Sequence, residues 1–271
     1  MNTKAKSHLE ENILIHLNPE GEVLDLEGKN VTPEHIRLLC QAGETLGKVK
    51  QLYLSNNGLS NSEIETLSKS RCLPKLEKLF LNHNQISDAG AKALAKSKLA
   101  RNLNYLMLEA NQIGSHGAKS FATSSNLRNL KTLFLDSNPI GPEGAEILAK
   151  STCLPALTAL HMDSTGIGDQ GVKAIAATQT LTKLNKLYLC SNKISDEGAI
   201  ALAQSPTLKN LNCLSIWRNE IRDRGGKAIA ESQYLIKLER LYMSLNLIDK
   251  PIRKMIRNSE LASRLKTLVM D

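Results

Sequence analysis

Apolar and polar positions along this chain follow a pattern that returns every 27 residues. One clear copy is Leu76, Leu79, Leu81, Asn84 and Ile86, a Leu-x-x-Leu-x-Leu-x-x-Asn-x-Ile string. The Asn-equivalent positions are Lys29, Asn57, Asn84, Asn111, Asn138, Thr165, Asn192, Asn219 and Asn246, with a first step of 28 residues and seven of 27. A tenth strand is expected from Leu265, 27 residues after Leu238. Repetition this regular predicts a stacked array in which each unit buries its apolar side only against its neighbours.

Two periods alternate inside each unit. Leu79 and Leu81 flank Phe80, so a short strand there points its leucines inward and its ring outward. The Asn that follows is expected to be buried and to satisfy backbone groups in the loops of adjacent turns, since such groups are not left unpaired. Lys29 and Thr165 interrupt that ladder. Next comes a helix start, with Ser87-Asp88 and Ser195-Asp196 supplying oxygens that can cap free amides. Glycines recur in register at Gly90, Gly117, Gly144, Gly171, Gly198 and Gly225, ahead of small apolar residues at helical spacing. They are expected to let the helix approach the sheet closely. No G-x-G-x-x-G or Walker pattern accompanies them, so they do not predict a phosphate loop.

Strands pair about 4.8 Å apart, whereas packed helices need roughly 8–10 Å. A parallel sheet with helices behind it is therefore expected to curve, strands inside. The predicted fold is an α/β horseshoe solenoid, with parallel strands on the concave face and helices on the convex face. Residues 1–21 form an expected N-terminal cap. There Asn12–Leu17 pairs with Glu22–Leu26 as a hairpin across the turn Asn18-Pro19-Glu20-Gly21. Residues 22–271 make about nine 27-residue units and a final strand, Leu265–Met270, left as an open edge. That edge suits a monomer or a weak end-to-end dimer.

Composition sharpens this picture. Apolar residues make up 41% and aromatics only 3%, so the core is aliphatic. The five cysteines are odd in number and lack C-x-x-C spacing, which predicts reduced thiols in a cytoplasmic setting and no zinc site. The apolar stretch Ile13–Leu17 is short and carries His16, so it is not a signal-peptide core. No run approaches the roughly 18 apolar residues of a membrane span.

These units, with their strand, Asn, Ile and Asp/Glu-x-Gly-Ala-x-x-Leu-Ala helix, resemble the ribonuclease-inhibitor-like class of leucine-rich repeats from about Glu22 onward. The resemblance implies a non-enzymatic, typically cytoplasmic protein-binding module. Members also occur among bacterial effectors delivered into eukaryotic cytoplasm. The namesake inhibitors are larger, Cys-rich and strongly acidic, whereas this chain carries a formal +8, so ribonuclease inhibition is not implied.

A fixed register stacks the outward strand positions into columns. The central one runs Asp25, Tyr53, Phe80, Met107, Phe134, His161, Tyr188, Ser215, Tyr242, Val269. Two residues on it runs Glu27, Ser55, Asn82, Glu109, Asp136, Asp163, Cys190, Trp217, Ser244, Asp271. Tyr105 joins Lys78, Lys186 and Arg240 in the column before. All aromatics except Phe121 and Tyr234 fall on this face. Rings placed where water should be point to recognition of a partner protein; cross-strand stacking alone is the plainer explanation.

Glu109, Asp136 and Asp163 sit about 5 Å apart by strand spacing, which suits a solvated face or a basic patch on the partner. An open sheet offers too few oxygens for a hard cation, so no metal or cofactor is expected. His161, Asp163 and Cys190 invite a catalytic arrangement, but no oxyanion hole or closed cleft is evident. The candidate partner-binding set is therefore Tyr53, Phe80, Tyr105, Met107, Glu109, Phe134, Asp136, His161, Asp163, Tyr188, Trp217, Arg218 and Tyr242. Nucleic acid is disfavoured because carboxylates outnumber cations on this face. The alternative is polyanion binding, of RNA or an anionic membrane, by convex-helix lysines such as Lys92, Lys96, Lys119, Lys150, Lys173 and Lys227.

Overall fold

The computed structural model describes residues 11–270. The expectations placed on the polar tail before residue 11 and on Asp271 lie outside that range. Ten strands, each of three residues, occupy the predicted positions. They are β1 Val23–Asp25, β2 Gln51–Tyr53, β3 Lys78–Phe80, β4 Tyr105–Met107, β5 Thr132–Phe134, β6 Ala159–His161, β7 Lys186–Tyr188, β8 Cys213–Ser215, β9 Arg240–Tyr242 and β10 Thr267–Val269. They form one parallel sheet in chain order. Helices α1 Pro33–Gln41, α2 Asn61–Lys69, α3 Asp88–Lys96, α4 Ser115–Ala122, α5 Gly141–Ala149, α6 Gly168–Ala176, α7 Asp196–Ala203, α8 Asp223–Ala230 and α9 Lys250–Arg257 each follow a strand, and a short α10, Glu260–Arg264, precedes β10. This is the α/β leucine-rich solenoid that the 27-residue period predicts.

Leucines of the strand motif are wholly buried, as at Leu79, Leu81, Leu106 and Leu108. The core is not entirely aliphatic: Phe121 is fully buried at a position where other units carry Leu or Ile. The predicted N-terminal hairpin is reduced to less than a ladder. Residues 11–14 are helical, and only Leu17 and Leu24 make an antiparallel bridge. The turn itself forms, with the Gly21 amide donating to the Asn18 carbonyl at 2.9 Å and Asn18 Oδ1 accepting from Glu22 and Val23. Ile13, buried at 4% exposure, packs into the core from the helical stretch; an apolar side chain anchored there favours a helical turn over a second paired strand.

The Asn ladder is present as expected. Asn111 Nδ2 donates to the carbonyls of Leu81 and Leu108, and its Oδ1 accepts from the Ile86 amide at 2.9 Å. Thr165 is too short to reach the preceding turn and bonds the Met162 carbonyl instead. The backbone compensates. Ile140 donates to the Asn138 carbonyl, and Gly141 donates to the Thr165 carbonyl at 3.0 Å. Gly141 takes φ +66°, a left-handed turn that a side chain would disfavour.

Two further ladders run behind the sheet. The predicted caps act partly across units. Ser195 caps its own helix, accepting from the Glu197 amide. Asp88 accepts from Gly114 and Gly117 of the next unit, Asp169 from Ser195 and Gly198, and Asp196 from Arg222 and Gly225. A third ladder lies outside what the motif predicts: Ser97, Ser124, Ser151, Thr178, Ser205 and Ser232 each donate to a carbonyl at the C-terminal end of the preceding unit's helix. Its signal is a Ser/Thr column at 27-residue spacing.

The in-register glycines have a different purpose from the one expected. A Cβ on Gly198 would lie 2.6 Å from both Asp169 Oδ1 and Ile194 Cγ2. The space saved therefore admits the unit's own Ile and, at Gly117, Gly198 and Gly225, the capping carboxylate of the preceding unit, whereas at Gly144 and Gly171 it admits the preceding helix; none of it is taken up by the sheet.

Candidate functional site

The register puts the whole central column on one open face of the sheet. Tyr53 pairs with Phe80, Phe80 with Met107, Met107 with Phe134, and so on through His161, Tyr188, Ser215 and Tyr242. Six rings stack continuously along it. Tyr53 lies on Phe80 at 4.1 Å between centroids, Phe134 on His161 at 3.8 Å, and His161 on Tyr188 at 4.0 Å. At Met107 the column lacks a ring. Tyr105, from the neighbouring column, leans into that gap and contacts both Phe80 and Phe134 at 5.2 Å. All six are half-buried, shielding one another while leaving their outer edges open.

Stacking settles where these rings are but does not use up their surface. Tyr242 takes no part in the stack, because the small, buried Ser215 separates it from Tyr188, and Trp217 lies in the neighbouring column beyond the end of β8. Trp217, at 37% exposure, and Arg218 are exposed beyond the end of β8. The candidate set thus divides into a continuous central stack and a separate flank.

The carboxylate column is more enclosed than an open strand suggests. Asp136 is 8% exposed, and its Oδ1 accepts from the Asp163 amide at 2.7 Å. Asp163 repeats the arrangement one unit on, accepting from the Cys190 amide at 2.6 Å. Both side chains therefore tie strand ends together, as the Asn ladder does deeper inside. Burial pushes the Asp136 carboxyl up to about 7, and the charges of Asp163 and Glu109 push the same way against the opposing backbone bond. Asp163 is also raised, again mainly by burial. Glu109 remains half-exposed beside them.

His161 and Cys190 do not form an activated pair. Burial between Phe134 and Tyr188, together with the charge of Lys186, pushes the imidazole down to about 4, so it is neutral at pH 7. Burial pushes the Cys190 thiol up to about 11, and its Sγ lies 3.0 Å from Ser215 Oγ. A nucleophilic thiol needs the opposite shift. Among the described residues no cluster of His, Cys, Asp or Glu has the geometry to hold a metal ion, and no helix is long and apolar enough to cross a membrane.

Five segments, residues 72–95, 126–149, 154–176, 180–203 and 207–230, match the family model described as Leucine Rich repeat. Each segment spans one strand and the helix after it. No curated protein matches the chain.

Proposed function

We propose that this chain, a leucine-rich repeat solenoid, is a non-enzymatic scaffold that captures a partner protein across its open strand face. The observation that carries this is the unbroken stack from Tyr53 to Tyr188, which presents half-buried aromatic edges along one face of five successive strand pairs. Rings held by their neighbours lose little freedom on binding, so their contact area converts efficiently into affinity. Met107, at the position in the stack that Tyr105 bridges, offers a flexible side chain that adapts to what docks there.

Glu109, with Asp136 and Asp163 behind it, biases the centre toward a basic patch, while Lys78, Lys186, Arg218 and Arg240 favour acidic groups at the flanks. Trp217 and Tyr242 extend the contact beyond the stack. The one-helix-per-unit pattern supports reading the array as ribonuclease-inhibitor-like. Five free cysteines suit a reducing cytoplasm, either that of the producing cell or that of a host cell receiving the chain as a bacterial effector.

Affinity capture from eukaryotic cytosol, run beside Phe134→Ala and Tyr188→Ala, tests the face. Each substitution is expected to cost about 2 kcal/mol of binding if it removes an anchor. A captured partner that binds wild type and both variants equally, with all three folded, would refute the strand-face assignment.

One feature favours a second mode. A groove of about 710 Å³ between α3 and α4 is lined by Lys92, Lys96, Lys119 and His116. Polyanion binding there would weaken steeply with salt and ignore both ring substitutions.

A further inference from the structure

The loop that follows each strand turns through a left-handed residue, at φ between +52° and +57° from Asn56 to Leu245. That corner faces solvent in most units, and so does the position two residues later. In five successive units the pair is small or polar: Asn56 and Gly58, His83 and Gln85, Ala110 and Gln112, Ser137 and Pro139, Ser164 and Gly166. The next two units stay polar but bring charge, with Ser191 and Lys193 and then Arg218 and Glu220, and only the last breaks the habit, carrying Leu245 and Leu247. Leu245 is 53% exposed and Leu247 49% exposed. Left-handed backbone disfavours Leu and favours Asn, so Leu245 gains neither burial nor comfort from its place.

Backbone bonds gather the neighbours of these two leucines. The Arg218 amide donates to the Ser244 carbonyl at 2.9 Å, which sets Trp217 and Arg218 beside Leu245. The Leu247 amide donates to the Ile221 carbonyl at 2.8 Å, which sets Arg222 beside Leu247. Arg253 of α9 shares with Leu245 the wall of a small cavity of about 200 Å³. Helix α9 adds Lys250 and Lys254 and contains no acid. Against these cations stand Glu220, Asp249 and Asp223, the last already accepting from the Asp249 amide at 2.8 Å. The ridge is thus two protruding leucines and a tryptophan inside a net-positive collar.

We propose that this ridge, Trp217, Leu245 and Leu247 ringed by Arg218, Arg222 and α9, docks onto an anionic lipid surface. Apolar side chains on a protruding corner enter a soft interface without needing a matching groove. Tryptophan is at home at the boundary of such an interface, and the collar is attracted by acidic headgroups. Charge and apolar insertion act together, as stable peripheral binding requires. The ridge lies beyond the ring stack but shares Trp217 and Arg218 with the flank assigned above to the partner, so membrane docking leaves the stack from Tyr53 to Tyr188 free and competes only for that flank.

Trp217 is the single tryptophan of the chain, so its emission reports the ridge directly. Full-length protein is titrated with phosphatidylcholine vesicles with and without phosphatidylserine, followed by emission and co-sedimentation. A blue shift and pelleting only with phosphatidylserine, lost at high salt, is the expected result. Leu245→Asn with Leu247→Gln, residues that earlier units carry at these corners, is expected to lower the partition about tenfold with no loss of thermal midpoint. Lys92→Ala with Lys96→Ala, on α3, is expected to leave the partition unchanged. No shift with phosphatidylserine vesicles overturns the proposal and leaves the ridge to a protein partner. Binding that survives the leucine substitutions but falls with the α3 ones overturns it in favour of the helix face.

Discussion

Replacing Asn111 by Ala should destabilise the array by about 2–4 kcal/mol, and the structure shows where that figure comes from. The Ile86 amide is fully enclosed and has the Asn111 side chain as its acceptor, at 2.9 Å. An orphaned buried donor costs about 1–3 kcal/mol. The three carbonyls that Asn111 serves are less exposed to loss, and Glu109 O, reached only at 3.2 Å, keeps the His83 amide at 2.9 Å and adds little. Leu81 O keeps a bond from Asn84 at 2.9 Å, and Leu108 O keeps one from Asn138 at 2.8 Å. Each then loses one of two partners, adding about 0.5 kcal/mol apiece.

The presence of Thr165 does not make Asn111→Thr tolerable, because the chain around Thr165 is rewired through Gly141 at φ +66°. The residue equivalent to Gly141 for Asn111 is Ser87, at φ −108°, whose amide is already bound to Asn61 Oδ1 at 2.9 Å. Asn111→Thr is therefore expected to cost nearly as much as Ala, with partial recovery on adding Ser87→Gly. Urea melts followed by circular dichroism give the midpoint, and hydrogen exchange at the Ile86 amide gives the local effect should the array unfold in sections. A change under about 0.5 kcal/mol for Asn111→Ala, with Ile86 protection intact, would show that the ladder is ornamental.

Gly198→Ala is expected to lower stability by about 1–3 kcal/mol, because its Cβ would collide with Asp169 Oδ1 and Ile194 Cγ2 at 2.6 Å; thermal melts check this, and Gly198→Ala with Asp169→Ala should not recover fully, since Ile194 remains. Asp136 has a folded pKa of about 7, well above its unfolded value of about 3.9, so the folded state holds an extra proton between these values and stability falls as pH rises from 4 to 7. His161, pushed down to about 4, works the other way: the unfolded state holds the extra proton, and stability rises with pH from 4 to about 6.5. The two oppose each other in wild type, and Asp163, also raised by burial, adds to the Asp136 side. Urea midpoints across pH 4–7 should therefore fall more steeply in His161→Phe, whereas Asp136→Asn should shift the slope upward; an unchanged slope in both would count against the buried state of these groups. The ring substitutions and the vesicle titration described above complete the set.

Much of the fold follows from the chain's own arithmetic. A period of 27 residues, two leucines flanking an outward residue, and an Asn three positions later are enough to place every strand, its inward faces and the central column. The columns needed no side-chain packing to assign, since a strand alternates its faces whatever surrounds it. That is why Tyr53, Phe80, Phe134, His161 and Tyr188 could be aligned from the sequence and are found stacked. Partner-dependent features were not legible in the same way. Nothing in Asp136 or Asp163 announces that each accepts from the next unit's backbone, and nothing in Asp88 announces a cap delivered to a helix 26 residues on. Tyr105 bridging the gap at Met107 depends on which way two side chains lean.

The sequence by itself determined the register, and with it which residues face the core and which share a surface. Tertiary structure alone decided how far each surface group is covered, which amide each polar atom meets, and how the backbone absorbs a missing Asn at Thr165. The division is physical: periodicity is a property of one chain's local geometry, whereas burial, proton affinity and hydrogen-bond partners are set by what the neighbouring turn brings within about 3 Å.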